Sequence, residues 1–385
     1  MMSGAQIKSL VKKYAQELGF DLVRVTSAQD FVEDRTISQE RVRTGLMDGL
    51  PWYTPERVRR GTSPQQLLPG ARSIICLGLN HYQPDPDTPP APQPVGRVAR
   101  YARGRDYHKV MKRRMREYVA GLSARLETEV KARWYVDDGP MLDRAAARRS
   151  GLGWFGKNTN ILTPELGSWV FLGQVITDLE IEPDGALKKT CGSCVRCIEA
   201  CPTGAIIAPY VIDNSRCISY LTIENRGPIP RELRPQMLDW VFGCDICQEV
   251  CPVNRKASVA TEPAFQRKEL SRVDLLELLD LSEEGFREKF RGTPILRAKR
   301  VGLKRNACVA LGNLKDPAAI PELSRSLVEE ETLVRSHAAW ALGQIGGQAA
   351  KRVLLEAQAS ETDADVLAEI CDALRGLEAA SLDSA

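Results

Sequence analysis

A mixed α/β (α+β) domain over residues 1–185, a compact cysteine-rich module over 186–260 and a helical repeat domain over 261–385 are predicted by the sequence. Three observations predict them. Four short runs of β-branched and aromatic residues are separated by stretches of helical periodicity in the first part. Eight of the eleven cysteines crowd into residues 191–251. Beyond residue 300, alanine and leucine recur at helical spacing in a pattern that repeats.

The opening MMSGAQIKSLVKKYAQELGF places Ile7, Leu10, Val11, Tyr14 and Leu18 on one face of an amphipathic helix, unlike a signal peptide. No stretch reaches the ~18 apolar residues of a membrane span, so a cytoplasmic protein with no membrane partner is expected. FDLVRVT (20–26), RSIICLGL (72–79), RWYVD (133–137) and SWVFLGQVI (168–176) read as strands. PDPDTPPAPQP (84–94) continues neither helix nor strand and reads as a surface loop. NACVALGNLKDPAAIPEL (306–323) and HAAWALGQIGGQAAKRVL (337–354) align at a spacing of 31, and ICDALRGL (370–377) partly restarts them. That pattern predicts stacked helix pairs of the HEAT type. Cys76, Cys308 and Cys371 fall on its apolar positions or inside a strand and read as small buried hydrophobes.

The net charge is only +3, yet residues 97–116 hold nine Lys or Arg against one acid, Asp106. Such a strip serves a polyanion such as RNA or is a solvated helix face. No G-x-G-x-x-G follows a strand and no P-loop is present, which argues against NAD, FAD and nucleotide triphosphates. Three histidines, His81, His108 and His337, give little support to a histidine metal site or a Ser-His-Asp triad.

The run Cys191-x2-Cys194-x2-Cys197-x3-Cys201-Pro202 has the spacing of a bacterial ferredoxin motif, whose fourth cysteine serves the other cluster. A second run, Cys244-x2-Cys247-x3-Cys251-Pro252, supplies three thiols, and Cys217 completes eight. Crossed ligation assigns Cys191, Cys194, Cys197 and Cys251 to one 4Fe-4S cluster and Cys201, Cys217, Cys244 and Cys247 to the other. A pair of zinc sites is the competing reading of C-x2-C spacing, and the third cysteine and the paired Cys-Pro ends favour clusters. Two clusters need only a small part of this chain, so the rest has another task.

The blocks RYARGRDYHKV (100–110), VDDGPMLDR (136–144), GLGWFGKN (151–158), LGSWVFLG (166–173), CPTGAI (201–206), RCISYLTIENRGPIP (216–230) and FGCDICQEVCPVN (242–254) resemble the epoxyqueuosine reductases over nearly the whole chain. The resemblance implies an oxidoreductase that removes the epoxide oxygen of epoxyqueuosine at the tRNA wobble position with two electrons. It implies a base-off cobalamin in the first domain, fed by the two clusters. Asp106-Tyr107-His108 starts the D-x-H-x-x-G string that gives cobalt a histidine, and Met111 breaks it. By the same resemblance Asp137 is the catalytic proton donor, with Asp138 where relatives carry a small hydroxyl residue. Arg60, Arg100, Asp137, Lys157, Asn158, Ser168, Ser219, Cys244 and Asp245 line the cobalamin, and Asn225, Arg226 and Gly227 meet the anticodon loop. A monomer served by a low-potential flavodoxin or ferredoxin is expected. A reductive dehalogenase and a non-catalytic electron carrier are the alternatives.

Overall fold

The computed structural model describes residues 3–86, 93–266 and 268–382. Residues 87–92 of the proline-rich stretch lie outside the described residues. The chain forms two compact units, each assembled from several segments.

The first unit comprises Met1–Pro84, Gly104–Ser215 and Ile246–Gln266. Its centre is a four-stranded antiparallel sheet in the spatial order Leu22–Ser27, Ser73–Asn80, Val170–Thr177, Ala132–Tyr135. The four runs read as strands in the sequence are these four. Every residue of Ser73–Asn80 is buried, because helices cover both faces of this inner strand, and it therefore reads as an unbroken apolar run rather than an alternating one. On one face the helix Asp143–Arg149 buries Ala145, Ala146 and Ala147 against Ile74, Cys76 and Ile176. On the other lie Gly4–Glu17 and Tyr107–Leu126, tied together where the Tyr118 hydroxyl donates to the Val11 carbonyl at 2.8 Å. Val11 and Ala15 are the buried positions of the first helix, on the face that its periodicity predicts.

One strand ends earlier than expected. RWYVD stops at Tyr135, because the Asp138 side chain accepts from the Val136 N–H at 3.1 Å and turns the chain before residue 137.

The second unit comprises Asp85–Arg103, Arg216–Asp245 and Arg267–Ala385. Val95–Val98 is the middle strand of a small sheet, parallel to Trp240–Phe242 and antiparallel to Arg272–Asp274. The short helices Leu275–Asp280 and Glu283–Lys289 lead into the repeat helices Lys299–Leu314, Ile320–Glu329, Thr332–Ile345, Gly347–Ser360 and Ala364–Leu382. The 31-residue spacing recurs as geometry. A Cβ on Gly312 would lie 2.5 Å from the Trp340 ring, and one on Gly343, 31 positions on, 2.7 Å from the Ala373 Cβ. At both positions only glycine lets the next helix approach this closely.

The same register carries buried polar side chains. Asn306 donates to the carbonyls of Thr222 and Val241 at 2.9 and 2.8 Å, and His337, again 31 residues on, accepts the Ile229 N–H at Nε2. Glu369, from the helix Ala364–Leu382, accepts Arg231 and Arg234 at 3.0 and 2.8 Å. Each helical repeat thus hands at least one buried polar group to the irregular segment 216–245.

Cys76 and Cys308 are buried, as expected of small hydrophobes. Cys371 is only half-buried, since its Sγ sits at the edge of the helix packing, where Gln358 Nε2 donates to it.

His337 Nδ1 lies 2.7 Å from the Leu333 carbonyl, to which it donates, which leaves Nε2 as an acceptor and the ring neutral. Burial first, then the charges of Arg234 and Arg305, push its pKa well below the ordinary histidine value. Below the unfolded value of about 6.5 the unfolded chain binds a proton that the folded chain refuses. The contribution of His337 to stability is therefore present above that pH and is lost as pH falls toward the folded value. Thermal unfolding of the whole chain followed between about pH 7 and about pH 5 should show a falling Tm, and His337→Gln should flatten that fall.

Candidate active site and cluster-binding thiols

In the first unit the turn after Tyr135 presents Asp137 and Asp138 side by side in different roles. Asp137 has φ of 54°, the left-handed region, and its Oδ2 accepts the Tyr107 hydroxyl at 2.8 Å. Asp138 is occupied locally, with Oδ1 on the Val136 N–H and Oδ2 paired with Lys112. A proton donor needs an uncommitted carboxyl oxygen, and Asp137 rather than Asp138 retains one. The turn is backed by the helix Pro55–Gly61. Arg57 donates to the Gly139 carbonyl, and a Cβ on Gly61 would overlap the Pro140 carbonyl oxygen.

Tyr107 is the residue that sequence reasoning passed over, naming it only as the residue between Asp106 and His108 in the interrupted D-x-H-x-x-G string. Asp106 caps the helix Tyr107–Leu126 by accepting the His108 N–H. This puts Tyr107 in the first turn, where its ring stacks on Phe171 at 4.2 Å and 2°. Phe171 in turn meets His81 at 4.3 Å. The stack fixes the tyrosine body and aims its hydroxyl. His108 Nδ1 lies 2.8 Å from Asp106 Oδ1, so this imidazole is tied back to its own cap.

The same unit gathers thiols. Cys197 is raised above the ordinary thiol value by burial, then by Cys191, Cys251 and Cys194. Cys251 is raised by burial, drawn down by the N–H groups of Val253 and Asn254, and raised by Cys191 and Cys194. Four half-buried thiols within electrostatic reach of one another, with backbone N–H groups on two of them, suit a thiolate-held iron–sulfur cube. Among the described residues no three His, Cys, Asp or Glu side chains are drawn together around a single ion, and a cube is a larger body than an ion. Cys201, with Thr203 Oγ1 at 3.7 Å, and Cys247 are in this unit as well.

Three residues expected around the cobalamin brace these cysteine segments. Lys157 Nζ donates to the Gly192 carbonyl at 2.8 Å, Asn158 donates to the Cys247 carbonyl at 3.2 Å, and the Ser168 hydroxyl donates to Gln248 at 2.9 Å. Asn254 completes the brace, accepting the Ser168 N–H and donating to its hydroxyl. In the same glycine-rich hairpin, Trp154 Nε1 is a buried donor without a partner among the described residues, which fits a ligand fringed with amide acceptors such as a corrin. Arg60 lies in the last turn of Pro55–Gly61.

In the second unit Cys217 stands at the N-cap of Ile218–Ile223, whose first turn holds Ser219, and Cys244 precedes Asp245. Asp245 is buried and accepts the Arg100 N–H at 2.7 Å and its guanidinium at 3.3 Å. The loop Asn225-Arg226-Gly227 is held from behind by Arg305. That guanidinium donates to the carbonyls of Asn225, Gly227 and Leu221 and twice to Asn306 Oδ1. All five of its N–H groups are thereby used. Burial, then the charge of Arg226, pulls Arg305 down to about 9. Arg226 donates to the carbonyls of Ala298 and Arg297 at 3.1 and 2.8 Å.

The basic strip divides. In the second unit Arg97 pairs with Asp239, Arg100 with Asp85 and Asp245, and Arg103 with Asp85. In the first, Lys112 pairs with Asp138 and Arg114 with Glu262. Arg105, Lys109, Arg113 and Arg116 are exposed and make no ion pair among the described residues. The last three share one stripe of Tyr107–Leu126.

Comparison with known proteins agrees with this arrangement. The family described as "Epoxyqueuosine reductase QueG, DUF1730" matches residues 61–138, a 4Fe-4S double cluster binding domain matches 190–254 and HEAT repeats match 293–375. An epoxyqueuosine reductase of Bacillus cereus is 35% identical over 382 residues, 98% of each chain. The chain belongs to the epoxyqueuosine reductase family. The Escherichia coli K12 epoxyqueuosine reductase is 38% identical over 343 residues, 88% of this chain and 89% of its own. An epoxyqueuosine reductase solved with an epoxyqueuosine-modified tRNA-Tyr stem loop superposes with a TM-score of 0.92 at 32% identity, over 98% of this chain and 100% of that one. No described helix is long and apolar enough to cross a membrane.

Removal of one thiol from the grouped four tests the iron chemistry. In anaerobically reconstituted protein, Cys251→Ala should lose about half of the iron and acid-labile sulfide, whereas Cys76→Ala and Cys308→Ala should lose none. Zinc without sulfide in the wild-type chain would defeat the cluster reading.

Proposed function

We propose that this chain reduces epoxyqueuosine to queuosine in tRNA, with Asp137 as the acid that protonates the departing epoxide oxygen. Membership of the family over nearly the whole chain supports the reaction. The observation that carries the residue assignment is the Tyr107–Asp137 hydrogen bond, which singles out one of two adjacent carboxyls. Two electrons and two protons turn the epoxide into an alkene and water.

Cobalamin, when bound, supplies a cobalt nucleophile for the epoxide carbon, and two 4Fe-4S clusters supply its electrons one at a time from a flavodoxin or ferredoxin. Arg60, Arg100, Lys157, Asn158, Ser168, Ser219, Cys244 and Asp245 hold the cobalamin. Cys191, Cys194, Cys197 and Cys251 hold one cluster, and the sequence spacing assigns Cys201, Cys217, Cys244 and Cys247 to the second. The segments 1–185, 186–260 and 261–385 act as the cobalamin-binding, electron-relay and helical domains of a cytoplasmic monomer. Tyr107 orients the Asp137 carboxyl, so that its proton points at the oxygen on which charge develops. Asn225, Arg226 and Gly227 receive the anticodon loop, and Arg305 keeps the carbonyls of Asn225 and Gly227 turned inward, away from phosphate.

The acid role has an internal control. Asp137→Asn should lower turnover roughly 10²- to 10⁴-fold with clusters, cobalamin and stem-loop affinity retained, while Asp138→Asn should leave turnover within about threefold of wild type. Near-normal turnover of Asp137→Asn removes the acid from this turn.

RNA binding has its own signature. Reversing the charges of Lys109, Arg113 and Arg116 should flatten the dependence of stem-loop affinity on salt, by roughly one unit of log–log slope for each phosphate no longer neutralised. Arg305→Gln should weaken stem-loop binding without changing that slope, since Arg305 orders the loop from inside the protein. Salt-insensitive binding by the wild-type chain would sink the phosphate reading.

A further inference from the structure

Behind the Asp137 turn lies a second carboxyl that the proposed reaction does not use. Asp143 is the first residue of the helix Asp143–Arg149, immediately after the turn. Part of the residue keeps some exposed surface, but its Oδ1 is buried without a hydrogen-bond partner. Gln174, wholly buried in the strand Val170–Thr177, donates Nε2 to the Asp143 main-chain carbonyl at 3.3 Å, and its own Oε1 is also buried without a partner. Two buried acceptors, on residues linked through the Asp143 main-chain carbonyl, therefore lack a donor among the described residues. A carboxylate supplies none, whereas a carboxylic acid supplies an O–H.

The surrounding charges point the same way. The turn contributes Asp137, a like charge. The helix contributes Arg144, which opposes it, and beyond them the strand Ser73–Asn80 presents Cys76, itself pushed up to about 12 chiefly by burial. Burial first and Asp137 second raise Asp143 well above the ordinary carboxyl value, against Arg144 and the N–H groups of Asp143 and Asp137. Lys112 is engaged by Asp138, and Tyr107 by Asp137, so neither balances a charge on Asp143.

We propose that Asp143 is a positioning residue for Asp137: as a neutral carboxylic acid it closes the base of the 136–142 turn, and its ionisation loosens that turn. The inference rests on the reading of Asp137 as the proton donor only for its consequence in catalysis. The protonation of Asp143 and the tightness of the turn are read without turnover.

Two measurements on the cluster-reconstituted full chain test it. Infrared spectroscopy of protein labelled with ¹³C-carboxyl aspartate should show a protonated carboxyl band at about pH 7, present in wild type and Asp137→Asn and lost in Asp143→Asn. Hydrogen exchange of the peptide covering 133–143, corrected for the intrinsic rate, should show the turn opening roughly tenfold more readily for each pH unit through the Asp143 transition. Asp143→Asn, a permanent mimic of the neutral acid, should keep the turn closed at alkaline pH, and Asp137→Asn should open like wild type. If Asp143→Asn does not fold, the wild-type infrared titration alone decides. Absence of the protonated band near neutrality, or an alkaline opening that survives in Asp143→Asn, overturns the proposal. An inactive Asp137→Asn with a normal opening transition leaves both readings standing, and an active one removes only the catalytic role of Asp137.

Discussion

Backbone hydrogen bonding of the segment 216–245 is the constraint on which the second unit depends. The segment carries Cys217, Cys244, Asp245 and the Asn225-Arg226-Gly227 loop, yet its regular structure is one short helix, one 3-10 turn and the strand Trp240–Phe242. Buried peptide groups outside helices and sheets cost about as much as a lost hydrogen bond unless side chains meet them. Arg305, Asn306, Asn313 and His337 meet them, reaching Leu221, Thr222, Asn225, Gly227, Ile229, Arg234, Leu238 and Val241. The helical repeats thus act as a partner that completes the hydrogen bonding of a segment unable to complete its own.

Arg305 shows how a charge can be used this way. A buried guanidinium without an acid partner loses its hydration, and acceptors for its five N–H groups must replace it. Carbonyls at 2.6 to 2.9 Å and the Asn306 amide do so. Replacing Arg305 by an apolar residue would leave three carbonyls unpaired at roughly 1 to 3 kcal/mol each, a large part of the stability of a typical domain. By contrast, the pairing of Arg97, Arg100, Arg103, Lys112 and Arg114 with acids converts most of a basic window into internal structure. Three residues of one helical stripe and Arg105 are what remains for a polyanion.

Much of this was legible in the sequence, for identifiable reasons. The central strands declared themselves because the interior of Ser73–Asn80, covered on both faces, is an unbroken apolar run between its polar ends. The cysteine spacing is covalent chemistry written directly into the chain. The 31-residue repeat survived because close helix approach restricts Gly312 and Gly343 to one residue type. The polar ladder was hidden. Asn306 and His337 interrupt apolar faces and read as noise until their hydrogen-bond partners, 65 to 108 residues away, are known. Tyr107 was hidden for the same reason, since its partner lies 30 residues on. The end of RWYVD was misread because a side-chain turn at Asp138 outcompeted the strand preference of Val136. Charge counting misjudged the basic strip because composition records cations and not their partners.

The balance at Asp137 explains why a single tyrosine matters. A non-glycine residue in the left-handed region carries a strain of roughly 1 to 2 kcal/mol. A hydrogen bond from a hydroxyl to a carboxylate contributes roughly 1.5 to 3 kcal/mol when partly shielded from water, which is enough to offset that strain with little to spare. Asp137 is exposed, so solvent competes for its oxygens and the real margin is at the low end of that range. The turn is therefore held by Tyr107, by Arg57 against Gly139 and by the close packing of Gly61 on Pro140 together, each modest. A carboxyl held this way keeps one defined direction yet needs only a small free energy to move, which suits a group that must present a proton to a large substrate and then release it.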